Sequence, residues 1–158
     1  NFTNVIDKKA FKINAYGMIT DAVWEDIDND SKKDLILVGE WNAPVIFKNT
    51  GRRLTTFSSN LTEWSGFWNT VECVDLNNDG KKDLILGNKG TNTSYKATKE
   101  KPMKLFINDY DNNGTIEQIT TQTIDGKDVP LHLKQELAKQ IPMIKKKNLS
   151  YYLKILKI

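Results

Sequence analysis

Three short stretches crowded with oxygen-bearing side chains constrain this 158-residue chain more than any other feature in it. In DLNNDGKKDLIL, Asp75, Asn77, Asp79 and Asp83 occupy positions 1, 3, 5 and 9, with Gly80 at position 6. Upstream, in DIDNDSKKDLIL, Asp26, Asp28, Asp30 and Asp34 repeat that spacing. Downstream, in DYDNNGTIE, Asp109, Asp111, Asn113 and Glu117 do so again, with Gly114 at position 6. Oxygens at odd positions converge on one point when the backbone curls tightly, and a glycine lets it curl. The hard cation Ca²⁺ suits such a point. Position 7, where loops of this kind offer a backbone carbonyl, is Lys32, Lys81 and Thr115, and completes the expected ligand sets. Asp, Asn and Gly also favour ordinary turns for local reasons, so a single loop would say little. Repetition favours the metal reading: Asp26 and Asp75 stand 49 residues apart, and Leu35-Ile36-Leu37 and Leu84-Ile85-Leu86 follow them in register.

The flanks select among calcium motifs. An EF-hand needs a helix on each side and a bidentate Glu at position 12. Position 12 here is Leu37, Leu86 and Thr120, and the flanking residues are β-branched or alternating, so the loops are expected to connect strands. Nothing reads GGxGxD, which excludes the nonapeptide β-helix repeats. The motifs DxDxDxxxDLIL and DxNxDGxxDLILG resemble the FG-GAP or VCBS-type repeats of calcium-binding β-propellers, the class that includes the integrin α-subunit head. From about Gly17 onward, the order SGFWNTVECVDLNNDGKKDLILGNKGTN, KPMKLFINDYDNNGTIEQI and DGKDVPLHLKQELAKQIPMIKKK is similar to the bacterial surface subset related to ASPIC/UnbV-type proteins. The resemblance implies propeller-type blades stabilised by Ca²⁺ loops in an extracellular, cell-surface or periplasmic protein. The chain departs from the family at Ser31, where glycine is usual, so a side chain is expected to take a left-handed conformation there.

In chain order, the pattern predicts a mainly β domain spanning 1–158, with blade-like units of four-stranded antiparallel sheet at about 17–60 and 66–125 and short helices at about 130–158. Residues 1–16, with Asn1, Phe2 and Phe11, carry little periodicity. Met18, Thr20, Ala22 and Trp24 alternate with Ile19, Asp21 and Val23 and deliver the chain to Asp26. Strands are expected at Leu35–Val38, ended by Gly39, and then at Val45–Lys48 and Leu54–Phe57. The second unit opens at Gly66. Asn88–Lys101 is polar and aperiodic, a surface loop in which Tyr95 is a candidate ligand contact. Asp125 and Gly126 signal a hairpin turn, and Leu133, Leu137, Ile141 and Ile144 recur at helical spacing, with Pro130 near the start and Pro142 interrupting. Tyr151, Leu153, Ile155 and Ile158 form an apolar tail expected to pack or to continue into further chain. Three loops are too few for a closed ring of four to eight blades, so further blades or an oligomer are expected.

Charge and composition narrow the function. The formal charge is +3, and the loops hold half of the 20 acidic residues. The lysines elsewhere are scattered without interleaved aromatics, which argues against nucleic acid, and no apolar run is long enough for a transmembrane segment. Lone Cys73 permits no internal disulfide and alternates with Val71 as a small hydrophobe. With one histidine, His132, and no GxSxG, HExxH or phosphate-binding glycine loop, catalysis is not expected. The function read from sequence is therefore a calcium-binding structural or interaction module with a protein or glycan ligand. The alternative is an accessory or carbohydrate-binding part of a larger carbohydrate-active enzyme, for which Trp64, Phe67 and Trp68 are either inter-blade filler or a sugar-binding face.

Overall fold

The computed structural model describes residue 13 and residues 16–146. They fall into two compact units divided after Asn92, inside the expected surface loop. The expectations for Asn1, Phe2 and Phe11, and for the tail Tyr151–Ile158, lie outside the described residues.

In the first unit, β1 (Met18–Glu25), β2 (Asp34–Asn42), β3 (Val45–Asn49) and β4 (Leu54–Thr56) pair successively as an antiparallel meander. A 3-10 turn at Asn60–Glu63 leads to the hairpin of β5 (Gly66–Val74) and β6 (Asp83–Asn88). Strand β5 meets the far end of β2, where Glu40 pairs with Phe67 and Asn42 with Gly66. The continuous apolar run of β2 has a physical reason, because both of its faces are covered. Leu35 and Leu37 pack with Val45 and Phe47 on one face, while Ile36 and Val38 pack with Ile46 and Val71 on the other. Each such fully buried side chain contributes about 1.5–3 kcal/mol relative to exposure. Tyr16 packs edge-on against Phe47 and donates its hydroxyl to the Ala43 carbonyl, and burial pushes its phenol up to about 12.

One boundary differs from expectation. Gly39 does not end its strand, since β2 continues to Asn42. A Cβ at residue 39 would collide with the Met18 carbonyl, so this glycine marks a close backbone approach of β1. Two residues on, Trp41 has a φ of 64° where the β2–β5 register shifts, and its ring meets Phe67 edge-on at 4.8 Å.

In the second unit, β7 (Met103–Asn108), β8 (Glu117–Ile124) and β9 (Lys127–Pro130) form an antiparallel sheet in that order. Asp125 and Gly126 turn β8 into β9 with φ of 49° and 71°, the positive values a tight hairpin requires. Pro130 is not at a helix start as expected. It closes edge strand β9, a place where a missing N–H is tolerated. Helix α1 (Lys134–Gln140) follows, with the Leu133 N–H donated to Glu136 at 2.9 Å, and Pro142 opens a separate 3-10 turn, Pro142–Lys146. The expected apolar face holds for three of its four residues: Leu137, Ile141 and Ile144, joined by Ala138, pack on Ile119 of β8, flanked by Phe106 and Tyr110, whereas Leu133 precedes the helix and is 61% exposed. The chain is mainly β with antiparallel sheets, and its described strands form no closed propeller. Among the described residues no helix is long and apolar enough to cross a membrane.

Candidate metal centres in three acidic loops

The first loop joins β1 to β2, the second β5 to β6, and the third β7 to β8. All three are built by the same four hydrogen bonds. The N–H of position 5 donates to the carboxylate of position 1: Asp30 to Asp26 at 3.0 Å, Asp79 to Asp75 at 3.1 Å, Asn113 to Asp109 at 3.0 Å. The N–H of position 6 donates to the other oxygen of that carboxylate, from Ser31, Gly80 and Gly114, at 2.7, 2.8 and 2.9 Å. Lys32, Lys81 and Thr115 donate their N–H groups to the side-chain oxygen of position 5 at 2.9, 2.8 and 2.7 Å. Finally, the N–H of position 2 reaches position 9: Ile27 to Asp34 at 3.4 Å, Leu76 to Asp83 at 3.0 Å, Tyr110 to Glu117 at 2.8 Å. Position 4 is left-handed in every copy, at Asn29, Asn78 and Asn112, as short polar side chains allow. Position 6 is left-handed too, and Ser31, with φ of 64°, adopts there the conformation that Gly80 and Gly114 take without a side chain.

These bonds aim the carboxylates inward with different results. Oxygens of Asp26, Asp28 and Asp34 lie within 4.8 Å of one another, as do those of Asp109, Asp111 and Glu117. The second loop, with Asn77 at position 3, assembles no such trio among Asp75, Asp79 and Asp83. Asn77 instead bonds to Asp79, accepting its N–H at 3.0 Å and donating its amide at 3.2 Å. Asp30 stands outside the first trio. Its carboxylate pairs with the Lys32 ammonium at 3.1 Å, which holds it below the usual carboxylate range. Asn113 likewise turns to the Thr115 N–H.

The trios are anchored in the core at position 9. Asp34 is fully buried and also accepts the Asn49 N–H at 2.7 Å, and Glu117 is buried beside Tyr110. Burial raises the Tyr110 phenol first, and the charge of Glu117 adds to it. In the third loop, Asp111 Oδ1 is a buried oxygen without a hydrogen-bond partner. Such an orphan is costly unless something electropositive meets it, and the all-oxygen donor sets fit a hard cation such as Ca²⁺.

Two residues that the spacing did not reveal bear on these loops. Lys48, on β3, pairs its ammonium with Asp28 and is raised mainly by that hydrogen bond. Asp21, on β1, accepts the Thr70 hydroxyl at 2.8 Å and the Val71 N–H at 3.0 Å, ties β1 to β5, and is lowered chiefly by the Val71 N–H. The first two loops also touch, because the Asn29 amide donates to the Gly80 carbonyl at 3.3 Å. Of the aromatic candidates, Trp68 packs against the Ile36–Val71 core and donates its indole N–H to the Trp64 carbonyl at 2.8 Å, whereas Trp64 is 50% exposed. Phe67 meets Trp41 edge-on, and the Lys89 ammonium stands over its ring, 5.1 Å from the centroid. Tyr95 is exposed in the loop between β6 and β7, and Cys73 is half-buried, its thiol raised mainly by that burial.

Geometry and topology together define a mainly β protein of recurring strand–acidic loop–strand units. Residues 26–86, from the first carboxylate of the first loop to the end of the apolar run after the second, match the family model of the FG-GAP-like repeat, a non-catalytic repeat family. That repeat points to a surface or interaction module. Searches of curated proteins and of solved structures return no match to the chain.

Proposed function

We propose that this chain is a calcium-binding structural and interaction module of a bacterial surface or secreted protein, related to the VCBS and ASPIC/UnbV-type proteins, and that Ca²⁺ in its acidic loops is part of the folded state. The observation that carries the reading is the pair of converging carboxylate trios, one of which contains the orphaned Asp111 oxygen. Each trio holds three like charges a few ångströms apart at the ends of paired strands, and a bound cation turns that repulsion into a crosslink. Asp26, Asp28 and Asp34 would hold one ion and Asp109, Asp111 and Glu117 another, while the second loop offers Asp75, Asp79 and Asp83 with Asn77. With free calcium at one hundred times the dissociation constant, each occupied site stabilises the fold by about 2.7 kcal/mol. Calorimetry in excess Ca²⁺ and in chelator tests this. The melting temperature is expected to fall by several degrees on chelation, and Asp111→Asn is expected to shrink the difference. Equal melting temperatures would reduce the loops to ordinary turns.

The glycan-binding reading is favoured by the half-exposed Trp64, an aromatic face at the surface beside the β5 entry. Discrete saccharide binding on a glycan array that Trp64→Ala abolishes would select it as the ligand class.

A further inference from the structure

We propose that Lys48 is a built-in counter-ion of the first loop, occupying the place of the cation at Asp28 when metal is absent, and that the three loops therefore differ in their dependence on metal. This rests on the calcium reading of those loops. Position 3 is where the copies diverge. In the first loop the Asp28 carboxylate receives the Lys48 ammonium from β3. In the second, position 3 is the neutral Asn77, hydrogen-bonded to Asp79. In the third, Asp111 keeps one buried oxygen with no partner. The same electrostatic problem is thus met by a lysine, by removal of a charge, and not at all.

The placement of Lys48 follows from strand pairing. Leu35 of β2 pairs with Phe47 of β3, so the next residue outward on β3 lies beside Asp34, the buried carboxylate that closes the loop. The Asn49 N–H fixes this edge by donating to Asp34 at 2.7 Å, and the Asn49 amide donates to the Lys33 carbonyl at 3.0 Å. Held on both sides, the β3 end presents the lysine to the loop as a constant feature of the sheet. A cation entering the Asp26–Asp28–Asp34 trio competes with that ammonium for the Asp28 carboxylate. That competition costs affinity at the first loop, while the Lys48–Asp28 pair lends the metal-free loop stability that the third loop lacks. The Lys48 and Asp28 side chains are 37% and 32% exposed, so water screens their attraction and the effect is moderate.

The test follows the backbone amides of Ser31, Gly80 and Gly114 by NMR during Ca²⁺ titration of the intact chain, one reporter for each loop. Lys48→Met is expected to tighten binding at the Ser31 reporter by about two- to fivefold, the range of an exposed ion pair, and to leave the Gly80 and Gly114 curves in place. Lys48→Arg is expected to stay near wild type, as is Lys33→Met, which removes an equal charge nearby. In chelator, Lys48→Met is expected to speed hydrogen exchange at Ser31, and the wild type is expected to exchange faster at Gly114 than at Ser31. Calcium binding that Lys48→Met leaves unchanged, or that Lys33→Met tightens equally, overturns this proposal alone. If no reporter responds to calcium in any variant, the calcium reading fails and takes the proposal with it.

Discussion

Ser31 holds a left-handed backbone, φ 64°, at the one loop position where the other two copies carry glycine. A side chain in that conformation costs about 1 kcal/mol relative to glycine. Ser31→Gly is therefore expected to raise the melting temperature and to tighten calcium at the first loop, read by calorimetry. Weaker binding would show that the serine side chain contributes more than its strain removes. The loops and their converging positions 1, 3 and 9 were legible in the sequence because they depend on local spacing alone, and so was the left-handed serine; that position 5 would turn to its own loop, and that the second loop would assemble no trio, was not. Lys48 was not legible, because it reaches Asp28 across a strand pairing from 20 residues away. Asp21 was read only as part of an alternating strand, since nothing local tells a strand carboxylate that it will meet Thr70 and Val71.

Two elements share the motif DLIL and meet different surroundings. Ile36 in β2 is wholly buried, while Ile85, its counterpart 49 residues on in β6, is 46% exposed. Ile36→Ala is expected to cost about 2–5 kcal/mol, the range for an aliphatic side chain truncated in a packed core. Ile85→Ala is expected to cost well under half as much in urea unfolding of the same chain. Comparable losses would mean that the outer face of β6 is covered in solution. The elements themselves follow from pattern: both DLIL strands, the Asp125-Gly126 turn and the helix broken at Pro142 lie where periodicity and turn residues place them. Gly39 and Pro130 mislead for a shared reason. Each residue type punctuates chains in general, but at these positions its use is set by a neighbour, the Met18 carbonyl in one case and the open edge of a three-stranded sheet in the other.

At the scale of the molecule, the division after Asn92 falls in a polar stretch with no strand or helix between β6 and β7. Exposed segments of this kind are the preferred sites of nicking. Limited trypsin digestion is expected to cut first at Lys96 or Lys99, read by mass spectrometry, and a first cut inside strands β1–β4 would contradict the burial described for that meander. The two-sided burial of β2 also has a consequence in time. One face of that strand can be covered by β3 almost as soon as both are made, but the other face needs Val71. At about 5–20 residues per second, synthesis from residue 39 to residue 71 takes roughly 2–7 s. During that interval Ile36 and Val38, which are wholly buried in the finished fold, lack their β5 neighbour, and the nascent chain is at its most vulnerable to pairing with another chain.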